Sequence, residues 1–287
     1  DVSGWTKESF GESEPAKRTR MDAVGSAAER IRRGEFEKVV LAREVVLPLG
    51  EDADLTGMIQ ALRGRFPDCY HFAMRLESGA CFLGASPERL VQLDSGHVEI
   101  DALAGSARRG GDPETDEALS AALLNSRKDR MEHRYVVHQI VQSLDGVARE
   151  VRYPSTPGVR KLANVQHLHT PVTARLLEGA DLQTLMGRLH PTPAVGGYPA
   201  AKAVPHIHEL EDLDRGWYAG TIGWFAPQGS GEFAVSIRSG YAAQGVLRLY
   251  AGCGIVEHSD PLQEWEETRM KIEPLLEAAR QTLVEGA

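Results

Sequence analysis

The sequence predicts an α+β fold, in which groups of short strands and blocks of helix follow one another without regular alternation. Three observations carry this expectation. Between residues 70 and 104, four apolar runs are separated by Gly and Pro, the punctuation of an antiparallel meander. Residues 112–144 carry one long helical pattern, and a second group of strand-like runs lies between 217 and 251. No strict βα repeat links these blocks, which argues against a doubly wound parallel sheet.

Taken in order, residues 1–20 are rich in Ser, Glu, Lys and Gly and offer little to bury, so 1–23 is expected to be a tail or truncated segment ahead of one domain over 24–287. Small and apolar residues at helical spacing predict a helix from Asp22 to Arg33, stopped by Gly34. EKVVLAREVVL (37–47) is β-branched and reads as a strand with Lys38 near its start. Leu55 to Phe66 is an amphipathic helix stopped by Pro67. Strands are expected at 70–76, 80–84, 89–93 and 97–104, then the long helix, then one or two strands within 152–169. A short helix at 182–189 leads into HPTPAVGGYP (190–199), too rich in Pro and Gly to be other than an ordered loop. Ala200 to Leu213 is helical after its first turn, and strands at 217–225, 232–241 and 246–251 precede a last helix after Pro261.

The length of 287 residues is enough for a sizeable core, and 42% hydrophobic with 25% charged residues is the balance of a soluble globular chain. No apolar run is long enough to span a membrane, and the polar N-terminal stretch has no signal core. With a net charge of −9 and scattered Lys and Arg, a nucleic-acid footprint is not indicated. Three cysteines (Cys69, Cys81, Cys253), an odd number without metal spacing, suit a reducing cytoplasm.

The most informative stretch is AGCGIVEHSDPLQEWEETRMK (251–271). Glu264, Glu267 and Lys271 fall at i, i+3 and i+7, one face of a helix. That face could be ordinary solvated surface, but Gly252-Cys253-Gly254 reads as a glycine turn before it, and glycines let a ligand approach backbone. Glu132 lies in a charge run on the long helix; with Glu264 and Glu267 it would make a hard-oxygen set that suits Mg²⁺. Lys38 is either an edge-strand lysine facing water or a desolvated one whose lowered pKa makes it a base. Glu88 is either a turn carboxylate or a buried acid with a raised pKa. Arg238 and Lys271 together could grip a carboxylate, with backbone donors from glycine turns at Gly105-Ser106 and Gly252–Gly254. The pairs His167/His169 and His206/His208 lack the spacing of a transition-metal site, whereas His190 suits the hydrogen-bonding wall of a site.

Together these segments resemble the chorismate-utilising enzymes, the group of isochorismate, salicylate, anthranilate and aminodeoxychorismate synthases. The resemblance runs through KVVLAR (38–43), SPERL (86–90), LAGSARRG (103–110), KDRMEH (128–133), VQHL (165–168), HPTPAVGGYP (190–199), DRGWYAGTIGWF (214–225), FAVSIRSG (233–240) and the 251–271 stretch, in the family's order. It implies two packed antiparallel sheets flanked by helices around an Mg²⁺-dependent chorismate site. In that mapping Glu132 and Glu267 hold the metal, with Glu264 close by, and the metal binds the ring carboxylate. Gly105, Ser106, Gly252, Arg238 and Lys271 match substrate-binding positions, and Ala194 faces the ring.

The branch turns on a few positions. A lysine that resembling aminodeoxychorismate synthases carry is Ala104 here, and anthranilate synthases generally lack the lysine that Lys38 supplies. Salicylate synthases share Lys38 and Glu88 but tend to carry threonine where Ala194 stands. The resemblance therefore implies an isochorismate synthase, with Lys38 as base and Glu88 as acid. A salicylate synthase and an idle chorismate-binding module are the alternatives. It leaves open whether the product serves menaquinone, siderophore or salicylate synthesis, and suggests a monomer or weak homodimer. Family members carry further strands before the Lys38 segment, so an exposed sheet edge is expected where those strands are absent.

Overall fold

The computed structural model describes residues 14–50 and 53–284. Two antiparallel sheets make the framework, as the resemblance implied. At the heart of the first, β1 (Lys38–Pro48) is paired along its length with β13 (Val246–Ile255). Beyond β13 follow β12 (Ser239–Ala243), β3 (Cys81–Ser86) and β2 (Tyr70–Arg75), while the two-residue β9 (Gly197–Tyr198) covers the other side of β1. The second sheet runs β10 (Thr221–Phe225), β11 (Gly231–Val235), β4 (Arg89–Asp94), β5 (His97–Arg108), β8 (Val165–Leu176) and β6 (Ala148–Arg152), with β7 (Gly158–Lys161) also paired to β8.

Alternation along β1 decides which side chains meet which layer. Val39 and Leu41 face α1 (Glu14–Arg32) and α6 (Ala200–Leu210), and Val45 and Leu47 face α2 (Leu55–Arg65) and α7 (Pro261–Val284). Val40 and Ala42, on the opposite face, point toward the second sheet's core and cavity. On that sheet, Val98, Ile100 and Ala102 of β5 pack with Val136 and Ile140 of α4 (Arg127–Ser143) and with Leu144, the residue that caps its end. Each such fully buried Ile or Leu contributes about 1.5–3 kcal/mol.

Several elements differ from expectation. The first helix begins at Glu14 rather than Asp22, so residues 14–23 of the expected tail are helical; residues 1–13 lie outside the described residues. Arg20 of that segment is buried and donates to the carbonyl oxygen of Ala42 at 2.9 Å. The long helix is two helices, α3 (Pro113–Asn125) and α4, because Ser126 adopts extended backbone and its hydroxyl accepts from Asp129 N at 3.2 Å. The Ser-x-x-Asp spacing of 126–129 is the signal for that cap.

The expected meander from 70 to 104 is split: β2 and β3 belong to the first sheet, β4 and β5 to the second. The expected strand at 232–241 is likewise β11 in one sheet and β12 in the other. Since β3 pairs with β12 and β4 with β11, a two-stranded ribbon leaves one sheet and enters the next. Its bend is tied by Ala85 N to Arg238 O (3.0 Å), Val235 N to Glu88 O (3.0 Å) and Glu88 N to Ser86 Oγ (3.2 Å). Glu88 and Arg238 both sit at this bend, and Arg238 takes a left-handed φ of 51° that costs a non-glycine residue of order 1 kcal/mol or more.

Among the described residues no helix is long and apolar enough to cross a membrane.

Candidate active site

A cavity lies where the two sheets meet. Its wall includes Glu88 and Arg238 from the ribbon bend, Gly105 and Ser106 from β5, Glu132 from α4, Ala194 from the 190–199 loop, Gly252 from β13 and Lys271 from α7. Residues far apart in sequence are thus gathered as the motifs required. The two expected glycine turns are not turns. Gly105 has φ +72° at a bulge inside β5, where a methyl group would meet Asp129 Cβ at 2.9 Å. Gly252 and Gly254 lie within β13. A side chain on Gly252 would press on Tyr218 Oη at 3.0 Å, and one on Gly254 would collide with Glu132 Oε1 and meet Lys38 Cε at 2.8 Å. Glycine is required there by close approach of side chains rather than by a reversal of the chain.

Three predicted residues stand off the cavity wall. His190 ends α5 (Leu182–Leu189), where its amide donates to Met186 O at 2.9 Å, and its ring is not part of the wall. Glu264 and Glu267 lie on the α7 side, Glu267 bordering a second cavity of about 560 Å³ that also reaches Ser106, Lys128 and Asp129. Lys38 is the fourth to stand back: fully buried, it lies one contact behind the wall, 3.1 Å from Glu132 Oε1. β1 is flanked by β13 and β9, so the edge-strand reading of Lys38 does not hold. The pair is in ion-pair range yet off hydrogen-bond geometry, leaving Lys38 Nζ and Glu132 Oε2 without a hydrogen-bond partner.

Burial sets the proton affinities. It lowers the Lys38 pKa, against the opposing pull of Glu132. It raises Glu88 to about 7, although Lys38, Lys271 and Arg238 favour the carboxylate. Glu267 goes the other way: burial would raise it, but Lys271 at 2.6 Å and Lys128 outweigh that and hold it ionised. Glu264, buried and close to Glu267, is raised. The Lys271 ammonium also donates to Gly252 O at 2.9 Å, tying α7 to β13.

Two residues that the sequence reading did not place in the site belong to it. His167 lines the cavity, with Nδ1 3.0 Å from Ser106 Oγ and 3.2 Å from Gly105 O, and Nε2 3.4 Å from Arg238 Nη2. Burial, with Arg238 and Lys271 nearby, lowers its pKa to about 3, so the ring is neutral. Nδ1–H donating to the Gly105 region and Nε2 accepting from Arg238 is the tautomer that serves both contacts. Its signal was VQHL, which a search for metal spacing passes over. The second is Lys128, whose Nζ is 2.8 Å from Glu264 Oε1, 3.9 Å from Glu132 Oε2 and 4.0 Å from Glu267 Oε2. Four carboxylates, Asp129 among them, keep its pKa well above the ordinary value despite burial.

Comparison with known proteins gives the family of the chain. The family described as "Chorismate binding enzyme" matches residues 5–280. The chain belongs to that family. It is 44% identical over 277 residues to a protein of Pseudomonas aeruginosa named salicylate biosynthesis isochorismate synthase, covering 96% of this chain and 58% of that protein. It is 43% identical to isochorismate synthase MenF of Bacillus subtilis, over 90% of this chain and 55% of that one. The chain therefore spans a little over half the length of these relatives. Among solved structures, the menaquinone-specific isochorismate synthase of Escherichia coli superposes with a TM-score of 0.84 at 35% identity, covering 92% of this chain and 61% of that one.

Chorismate-utilising enzymes of this kind are generally Mg²⁺-dependent, and the residues here fit such an ion. As they stand, no group of three or more His, Cys, Asp or Glu side chains among the described residues is open to a metal. Glu132, Glu264 and Glu267 instead close around one cation, the Lys128 ammonium. Both oxygens of Glu264 and Oε2 of Glu132 are buried without a hydrogen-bond partner, a donor set short of ligands rather than saturated. Hard carboxylate oxygens are what Mg²⁺ takes. The cavity beside them has a volume of about 50 Å³, room for a few waters rather than a ring, so a substrate enters only as bordering side chains move.

Proposed function

We propose that this chain forms the catalytic part of an isochorismate synthase that converts chorismate to isochorismate in the cytoplasm, as a monomer or weak homodimer. The observation that carries the proposal is a pair of buried titratable groups with displaced proton affinities at one cavity. Glu88 is held near pKa 7 on the wall, and Lys38, lowered by burial, stands behind Glu132. A base whose proton affinity burial lowers and an acid whose proton affinity burial raises are what adding water at one carbon and losing hydroxide at another require.

In this reading, neutral Lys38 takes a proton from the water that attacks C2 of the ring. The double bonds shift, and the bond from C4 to its hydroxyl breaks. Protonated Glu88 gives its proton to the departing oxygen, which leaves as water. One water is consumed and one released, and the two groups return to their starting states by proton exchange with solvent. Each proton transfer contributes a factor of about 10²–10⁴. Lys38 acts only once Glu132 turns from it toward the metal side.

Arg238, fixed by the ribbon bend and by His167, and Lys271, fixed by Glu267 and Gly252, hold the substrate carboxylates. Glu132 and Glu267, with Glu264 beside them, would hold Mg²⁺, which when bound supplies positive charge for a substrate carboxylate.

The test is incubation of the folded protein with chorismate and Mg²⁺, with chromatographic separation of products. Isochorismate formed with Mg²⁺ and not with EDTA supports the proposal. Salicylate with pyruvate would move the chain to the salicylate synthases, a reading that Ala194 on the cavity wall disfavours. Mg²⁺-dependent chorismate binding by calorimetry without turnover would make it an idle module.

A further inference from the structure

The carboxylate cluster already contains a cation, and its arrangement is selective. Glu132 gives Oε1 to Lys38 at 3.1 Å, and Glu267 gives Oε1 to Lys271 at 2.6 Å. The oxygens left over, Oε2 of Glu132, Oε2 of Glu267 and Oε1 of Glu264, all converge on Lys128 Nζ within 2.8–4.0 Å. These are the oxygens a divalent ion would need. We propose that Lys128 is a built-in counter-ion of the three-glutamate cluster, which a divalent metal must expel before it can bind there. The inference rests on the metal assignment made under the proposed function.

Without Lys128, three carboxylates held this close by α4 and α7 would repel one another, and Glu264, whose ion pair is with Lys128, would be buried with no compensating charge. One ammonium offsets part of that charge and keeps the two helices in register. A second cation cannot share the same oxygens, since charges about 4 Å apart repel strongly in a partly buried setting. Lys128 has a way out. Its side chain keeps 22% of its exposure and borders the 560 Å³ cavity together with Asp129, Asp260 and Glu266. Its flexible four-carbon stem lets the ammonium move to those acids while its backbone stays in α4. Lys38, fully buried, has no such exit. The exchange of one charge for two would set the metal affinity of the cluster, because bound metal must displace an existing partner.

Two measurements test this, both without substrate. First, thermal unfolding of wild type and Lys128→Met is followed across a Mg²⁺ titration. The variant is expected to melt lower in EDTA and to bind Mg²⁺ about tenfold or more tightly, because it has lost the competing charge. Equal or weaker Mg²⁺ affinity in the variant overturns the role of Lys128 and leaves the metal assignment standing. No Mg²⁺-dependent shift in either protein overturns the metal assignment, and this inference with it. Second, wild-type protein is treated with an amine-acylating reagent and the labelled lysines are mapped by mass spectrometry. Mg²⁺ should raise labelling of Lys128 several-fold while Lys38 stays protected. This readout does not depend on the variant's folding, and labelling of Lys128 that is unchanged or reduced by Mg²⁺ contradicts the proposal.

Discussion

Replacing Glu88 by Gln removes an ionisable group from a buried wall while keeping its shape, so its effect can be worked out from the proton affinity alone. The carboxyl is 5% exposed, and its pKa is raised from 4.5 to about 7, chiefly by burial. At 1.36 kcal/mol per unit, that displacement of about 2.5 units corresponds to about 3 kcal/mol. The sign follows from proton uptake. Between pH 4.5 and 7 the folded state keeps the proton and the unfolded state has lost it, so folding stability falls as pH rises. The stabilising contribution is fully present below the unfolded value of 4.5 and gone above the folded value near 7. Urea unfolding of both proteins in EDTA, from pH 4.5 to 8, reads this directly. Wild type should lose about 3 kcal/mol relative to Glu88→Gln across that range, most of it before pH 7. Parallel stability curves for the two proteins would refute the burial argument. The same proton has a kinetic signature: deprotonation of Glu88 removes the acid from wild type above pH 7, so Glu88→Gln should lose a factor of about 10²–10⁴ below pH 7 and the gap between the two proteins should narrow as pH rises above it.

Other perturbations follow from the same geometry. Lys38→Ala should reduce turnover by about 10²–10⁴ while far-ultraviolet circular dichroism stays native-like, and full activity in that variant removes Lys38 as the base. Gly254→Ala places a methyl group against Glu132 and Lys38 Cε; it should destabilise by about 1–3 kcal/mol and reduce turnover at least tenfold, and unaltered kinetics would show that the Lys38–Glu132 contact is dispensable. Ser126→Ala removes the cap that starts α4 and should cost about 1 kcal/mol in urea unfolding with little change in KM.

The parts of the fold legible in the sequence were those written locally. The strand run at 37–47 and the helix at 182–189 show their period and their stops; the helix lies where expected and the strand within one residue of it, at Lys38–Pro48. The passage of a strand from one sheet to the other is a non-local event, so nothing within 70–104 or 232–241 marks it, although Pro87 and the Ser236–Arg238 link are where it happens. Gly252 and Gly254 looked like a turn because glycine permits reversals; their reason here is the bulk of Tyr218, Glu132 and Lys38 pressing on β13. In KDRMEH the charge run resembled a solvated face, and Arg130 is indeed exposed, but Lys128 and Glu132, four residues apart on one face, turn inward to the α7 carboxylates. His167 was passed over because its task, holding Arg238 and the Gly105 bulge, has no spacing signature of its own. The 190–199 loop does reach the cavity, but through Ala194 and Val195, while His190 at its start caps the end of α5 and stays off the wall.

The most direct measurement is product analysis after incubation with chorismate, run in parallel with Mg²⁺, with EDTA, and with Glu88→Gln in Mg²⁺. Isochorismate as the sole new product with Mg²⁺, abolished by EDTA and reduced by at least about 10² in Glu88→Gln, is the predicted result. Folded protein that leaves chorismate unchanged in the presence of Mg²⁺, or that forms isochorismate equally well after Glu88→Gln, would contradict it.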